Sequence, residues 1–242
     1  MSGPRIAYAA NRSIGLRGLE LLLEAGLLPD ILMLPDVDRA EFADEMKGLV
    51  PGSEVVEGKK FREAERDILA AAELDYILSV HYPYIIPREV FEIPRIGTLN
   101  LHPSYLPFNR GWHTPTWAIV DGNPYGATLH WVDESLDTGE IALQKRLDVR
   151  PDDTAHTLYE RVLQLELELL REALPLLVHR RLPRAPQPAC GSLHLKEELR
   201  ELQRLELTEF RQIGEVVKLL RALTTNNWDE AAYFEINGAA YR

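Results

Sequence analysis

The chain has 242 residues, 45% hydrophobic and 27% charged, enough to bury a substantial core as one large domain or one domain with an appendage. Its formal charge is −11, with Lys and Arg interleaved among acids as in LKEELRELQRLELTEF (195–210), so no phosphate-gripping basic face is expected and nucleic acid is set aside as a partner. No apolar run reaches the roughly 18 to 20 residues that span a bilayer, no basic-then-apolar leader opens the chain, and the lone Cys190 rules out an intrachain disulfide or a Cys-rich zinc site, so a reducing cytoplasm is the expected compartment.

RIAYAA (5–10) reads as a buried strand and IGLRGLELLLEAG (14–26) as a helix stopped by Gly26. DILMLP (30–35) is a second strand, followed by a helix over 39–49, a short strand centred on Val55 and Val56, and a helix over 61–74. DYILSV (75–80) and GTLNLH (97–102) are further strands. Strand–helix alternation with continuous apolar strands predicts an α/β fold, a mostly parallel sheet with helices on both faces. GATLHWV (126–132) and GEIALQKRLDV (139–149) alternate more, as strands near a sheet edge do. A long amphipathic helix covers 153–180, and RRLPRAPQPACG (180–191), with prolines at 183, 186 and 188, marks a boundary. The division expected is 1–180 as a catalytic domain and 181–242 as a small C-terminal region. That region carries one or two helices (195–205, 210–223) and ends in a β-hairpin turned by Asn237-Gly238.

No Gly-x-Gly-x-x-Gly, Walker loop, His-Glu-x-x-His or Gly-x-Ser-x-Gly is present, which argues against dinucleotide redox, phosphoryl transfer and serine hydrolysis. The densest group of polar residues is TLNLHPSYLPFNRG (98–111). Strand alternation points Asn100 and His102 the same way, and Pro103 ends the strand, leaving both near the carboxyl edge where open α/β sheets bind ligands. A satisfied structural pair and an active site are both open readings of such a pair. Asp137, in ESLDTGEI with Gly139 permitting a tight turn, reads alone as a turn residue. Beside an imidazole it would raise the pKa and fix the ring.

NLHPSYLPFNRG followed 35 positions after His102 by LDTGEI resembles the 10-formyltetrahydrofolate-dependent formyltransferases, over about residues 75–150. The resemblance implies a Rossmann-like sheet that binds folate instead of a dinucleotide, and a catalytic set of Asn100, His102 and Asp137. Asn100 and protonated His102 would donate to the oxyanion formed when an amine attacks the formyl carbon. Asp137 with His102 would move the proton, and no metal is needed. HYPYIIP (81–87) resembles the family's pterin segment, so Tyr84, Ile85, Ile86 and Pro87 are expected at the cofactor, with Asp133 and its turn to Gly139 as the other wall.

The tail, with GSLHLKEEL (191–199), LLRALT (219–224) and AAYFEING (231–238), is most like the nucleotide-linked amino-sugar N-formyltransferases. This subgroup implies a dTDP- or GDP-linked amino-deoxy sugar as acceptor, surface-polysaccharide (lipopolysaccharide O-antigen) biosynthesis, and a homodimer through the hairpin. GWHTPTW (111–117) departs from the expected pattern at Trp112 and after His113, which bears on the identity of the sugar. Asn11, Arg12, Arg110, Trp112, His113 and Arg221 are the expected sugar-nucleotide contacts, each with an ordinary structural alternative. His81, His130 and His194 are assigned structural or peripheral places. The remaining alternatives are a transferase acting on glycinamide ribonucleotide or another small amine, a formyl-folate hydrolase, and a folate- or nucleotide-sugar-binding regulator without turnover.

Overall fold

The computed structural model describes residues 3–58 and 61–242. In chain order its first elements are β1 (Ile6–Ala10), α1 (Arg12–Glu24), β2 (Ile31–Leu34), α2 (Ala43–Leu49), β3 (Glu54–Glu57), α3 (Glu63–Ala71), β4 (Tyr76–Val80), α4 (Arg88–Phe91) and β5 (Gly97–His102). β6 (Arg110–Gly111), α5 (Thr114–Asp121), β7 (Tyr125–Trp131), β8 (Ile141–Leu147) and α6 (Ala155–Val178) follow. β9 (Leu193–His194), α7 (Glu198–Gln203), α8 (Ile213–Ala222), β10 (Phe234–Ile236) and β11 (Ala239–Tyr241) complete it. A seven-stranded sheet runs β3-β2-β1-β4-β5-β7-β8, parallel from β3 to β5 and antiparallel where β7 joins β5.

The apolar strands sort onto two faces because their side chains alternate. Ala7, Ala9, Ile31, Met33, Val56 and Ile77 share one core with Leu69 of α3 and Val90 of α4. On the opposite face, fully buried Tyr8 donates to the Gly15 carbonyl of α1 at 2.7 Å. Leu170 of α6 lies close to Gly18 there. The mostly parallel sheet with helices on both faces follows the alternation of the sequence, with β7 and β8 at the edge. The helix expected over 39–49 is shorter. Asn11 takes its first residues, accepting from the Glu41 amide at 2.8 Å and donating to the Arg39 carbonyl at 3.2 Å, so α2 starts only at Ala43.

Two compact units are interleaved along the chain. The first contains residues 1–102, 128–144 and 166–187, the second 103–127, 145–165 and 188–242. In the first, the Pro-rich stretch is tied to the sheet: Ala185 bridges Ile141, and the Arg184 guanidinium lies 3.6 Å over the Trp131 ring. In the second, β6 pairs with β9 in parallel, and Leu199, Leu219 and Leu223 bury together. Asn237 and Gly238 join β10 to β11 with φ of 50° and 79°, the positive pair that a type I′ turn requires.

Candidate active site

β5 carries Asn100 and His102 on one side of the sheet, between buried Leu99 and Leu101 on the other. Its antiparallel neighbour β7 puts His130 directly opposite Asn100. After β7 the chain turns through Asp137, held in the left-handed region at φ 54°, a conformation that Asp tolerates better than most residues. A Cβ at Gly139 would lie 1.8 Å from the Trp131 carbonyl oxygen, so this glycine is required by close backbone approach. Gln187 clamps the same turn, its amide donating to the carbonyls of Asp137 at 2.9 Å and Gly139 at 2.7 Å.

The polar residues of β5 therefore meet those of β7 and of the turn that follows it. Asp137 Oδ2 lies 3.6 Å from His102 Nε2, and Oδ1 lies 3.5 Å from His130 Nε2. His130 Nδ1 stands 2.8 Å from the Trp131 carbonyl, an acceptor, so Nδ1 bears the proton. In the neutral ring Nε2 then accepts from Asn100 Nδ2 at 3.2 Å, which orients the carboxamide. His130 is thus part of the constellation, not the structural or peripheral residue expected from sequence. Its parity with Asn100 becomes visible only once β5 and β7 are paired.

His102 is buried, and Nε2 has no hydrogen-bond partner. A buried nitrogen left unsatisfied costs about 1 to 3 kcal/mol, so an atom in this position is poised for a substrate group. Burial pushes the imidazole below its ordinary value. Asp137 pulls it up, His130 pushes it down, and Glu166 and His81 act in opposite senses, raising and lowering it. Burial therefore favours the neutral, proton-accepting ring over the charged one.

The expected cofactor residues also belong to the first unit. Tyr84 donates to Asp36 at 2.7 Å, Ile86 is buried in the core, and Pro87 precedes α4. Ile85, in the loop after β4, is 81% exposed. Asp133 accepts from Thr138 at 2.7 Å and from the Ser135 amide at 3.2 Å, closing its turn on itself. Among the described residues no group of three or more His, Cys, Asp and Glu side chains is arranged to hold a metal ion.

The expected sugar-nucleotide residues fall in both units. Asn11 is occupied with the 39–41 loop, and Arg12 faces Glu41 at 3.7 Å. In the second unit Arg110 Nε and His113 Nε2 are buried without partners, and Trp112 is half exposed with Lys196 over its ring. Arg221 braces the backbone locally, its guanidinium donating to the Asp153 and Arg150 carbonyls, each at 2.8 Å.

The family model for formyl transferases matches residues 34–174, and that for the N-formyltransferase dimerization C-terminal domain matches 198–242. The chain belongs to the formyl transferase family. This formyltransferase is 30% identical to dTDP-4-amino-4,6-dideoxyglucose formyltransferase of Mycobacterium tuberculosis over 72% of its own length and 74% of the relative's. It is 31% identical to methionyl-tRNA formyltransferase of Myxococcus xanthus over 93% of its length and 74% of that protein's. Among solved structures, the formyltransferase PseJ from Anoxybacillus kamchatkensis, in complex with UDP-4,6-dideoxy-4-formamido-L-AltNAc and tetrahydrofolate, superposes with a TM-score of 0.59 at 30% identity, covering 79% of this chain and 98% of that one.

Proposed function

We propose that this formyltransferase moves the formyl group of 10-formyltetrahydrofolate onto the amino group of a nucleotide-linked amino-deoxy sugar, with Asn100, His102 and Asp137 as its catalytic residues. The observation that carries this reading is Asp137 standing 3.6 Å from an unsatisfied buried His102 Nε2, with Asn100 two residues earlier on the same strand. The sugar acceptor is supported by the C-terminal match at 198–242, and a dTDP carrier by the acceptor named for the mycobacterial relative. A net charge of −11 speaks against a charged tRNA as acceptor.

In this mechanism neutral His102 takes the proton that the sugar amine loses as its nitrogen bonds to the formyl carbon. Asp137 stabilises the imidazolium that results. Asn100, its carboxamide oriented by His130, donates its second N–H to the oxyanion. His102 then returns the proton to the folate nitrogen as the old carbon–nitrogen bond breaks, so one acid–base group serves both halves. Exposed Ile85 and the turn from Asp133 to Gly139 flank the pterin. Arg110, Trp112 and His113 are the residues we assign to the sugar nucleotide, with residues 1–180 carrying catalysis and 181–242 carrying dimerisation. The working setting is the cytoplasm, as a homodimer, with the product directed to surface polysaccharide such as lipopolysaccharide O-antigen.

The test is a panel of dTDP-, GDP- and UDP-linked amino sugars supplied with 10-formyltetrahydrofolate, following tetrahydrofolate release. Amine-dependent turnover on a nucleotide sugar is the expected result. Equal release with water alone, or formylation of methionyl-tRNA in preference to every sugar, defeats the proposal. Replacing Asn100 with Ala removes one oxyanion donor and is expected to lower kcat by roughly 10²- to 10³-fold.

A further inference from the structure

A second buried histidine–carboxylate pair lies beside the first and is not used by the mechanism. His81 Nε2 faces both carboxylate oxygens of Glu166, at 2.9 and 3.2 Å, across 85 positions of sequence. Glu166, on α6, is fully buried, and the His81 side chain is nearly so. A carboxylate in that setting is tolerated only against a specific partner. His81 itself sits at φ 53°, a left-handed conformation that a β-carbon-bearing residue adopts only at a cost. Such an outlier persists only where its surroundings enforce it, and these outliers concentrate at functional sites.

The position of the pair gives it a function. β4 and β5 run parallel with Val80 opposite Leu101, and one further step along both strands brings His81 alongside His102. The same residue begins the 81–87 loop, in which Tyr82 and Ile86 turn into the core and Ile85 turns out. We propose that His81 and Glu166 are positioning residues for formyl transfer, a buried dyad that fixes where β4 leaves the sheet and sets the local charge around His102. The proposal rests on the reading that His102 carries the proton. The ionisable groups acting on His102 are Asp137 in the turn after β7, His130 on β7, Glu166 on α6 and His81 at the end of β4, so the environment comes from four separate segments.

Full-length protein labelled at its histidine rings, with His102 assigned by its loss in His102→Asn, would be titrated by NMR alongside Glu166→Gln, His81→Gln and the double variant. Glu166→Gln removes the negative member and is expected to move the His102 midpoint down, on the order of half a pH unit, less than the 1 to 3 units of a charge in contact. His81→Gln is expected to move it up, and the double variant to bring it back near wild type. The acid limb of kcat/KM should follow each midpoint. A folded Glu166→Gln whose His102 titrates as in wild type, or shifts of one sign in all variants, overturns the proposal. If His81→Gln does not fold, the other two variants decide. A wild-type protein without formyl transfer would defeat the proposed function instead, and the NMR midpoint would still test the dyad.

Discussion

Asp137 takes two roles that its position in a tight turn makes compatible. The left-handed backbone turns the carboxylate inward, and its two oxygens reach different imidazoles, His102 at 3.6 Å and His130 at 3.5 Å. Because burial lowers the His102 pKa and Asp137 opposes that, the sign of one substitution is fixed. Asp137→Asn removes the opposing charge, so His102 should titrate lower still, and the acid limb of kcat/KM should move to lower pH. The maximal rate should meanwhile fall by roughly 10²- to 10⁴-fold, since the imidazolium loses its counter-charge. A pH profile of the variant checks both. The folded-state pKa of His102 lies below its unfolded value, so the associated stability is present above about pH 6.5 and lost as pH falls below it. At this scale Asn100 and His102 are legible because side chains two apart on a strand share a face. His130 is not, because its partnership depends on which strand lies next to β5.

The Pro-rich stretch illustrates what happens at the scale of elements. By composition it reads as a domain boundary, and prolines at 183, 186 and 188 do forbid a helix. Residues 184–187 nonetheless extend the sheet edge, through the Ala185 bridge to Ile141, and deliver Gln187 to the Asp137 turn. Two neutral hydrogen bonds of about 1 kcal/mol each hold that turn from outside the site. Gln187→Ala should therefore reduce kcat several-fold or more while shifting Tm by only a few degrees, measured by steady-state kinetics and thermal unfolding of the same preparation. A large loss of Tm with unchanged kcat would mean that the clamp serves stability alone. α2 offers the converse case, a helix pattern shortened because Asn11 claims the backbone groups of 39–41.

α8 has two apolar faces, a feature that concerns the whole molecule. Leu219 and Ala222 are buried, while Ile213, Val216, Val217 and Leu220 form an exposed stripe at helical spacing, with Phe210 fully exposed just before it. Such an exposed stripe marks an interface, and it lies within the region matching a dimerization domain. Replacing both Ile213 and Val217 with Asp should convert a dimer to monomer at micromolar concentration in sedimentation or light scattering. Persistence of the dimer would place the contact elsewhere.

Sequence alone determined the main strands and helices of the sheet, though not α5, β6 or β9, together with the Asn237-Gly238 hairpin and the spacing of Asn100, His102 and Asp137, because period, turn chemistry and motif spacing are local properties of the chain. Tertiary structure alone decided that His130 orients Asn100, that Gln187 holds the Asp137 turn, that Arg221 braces a loop and that Glu166 meets His81. Each of these is a contact between residues 30 to 85 positions apart. Strand order and helix placement bring such partners together, and no local pattern records them.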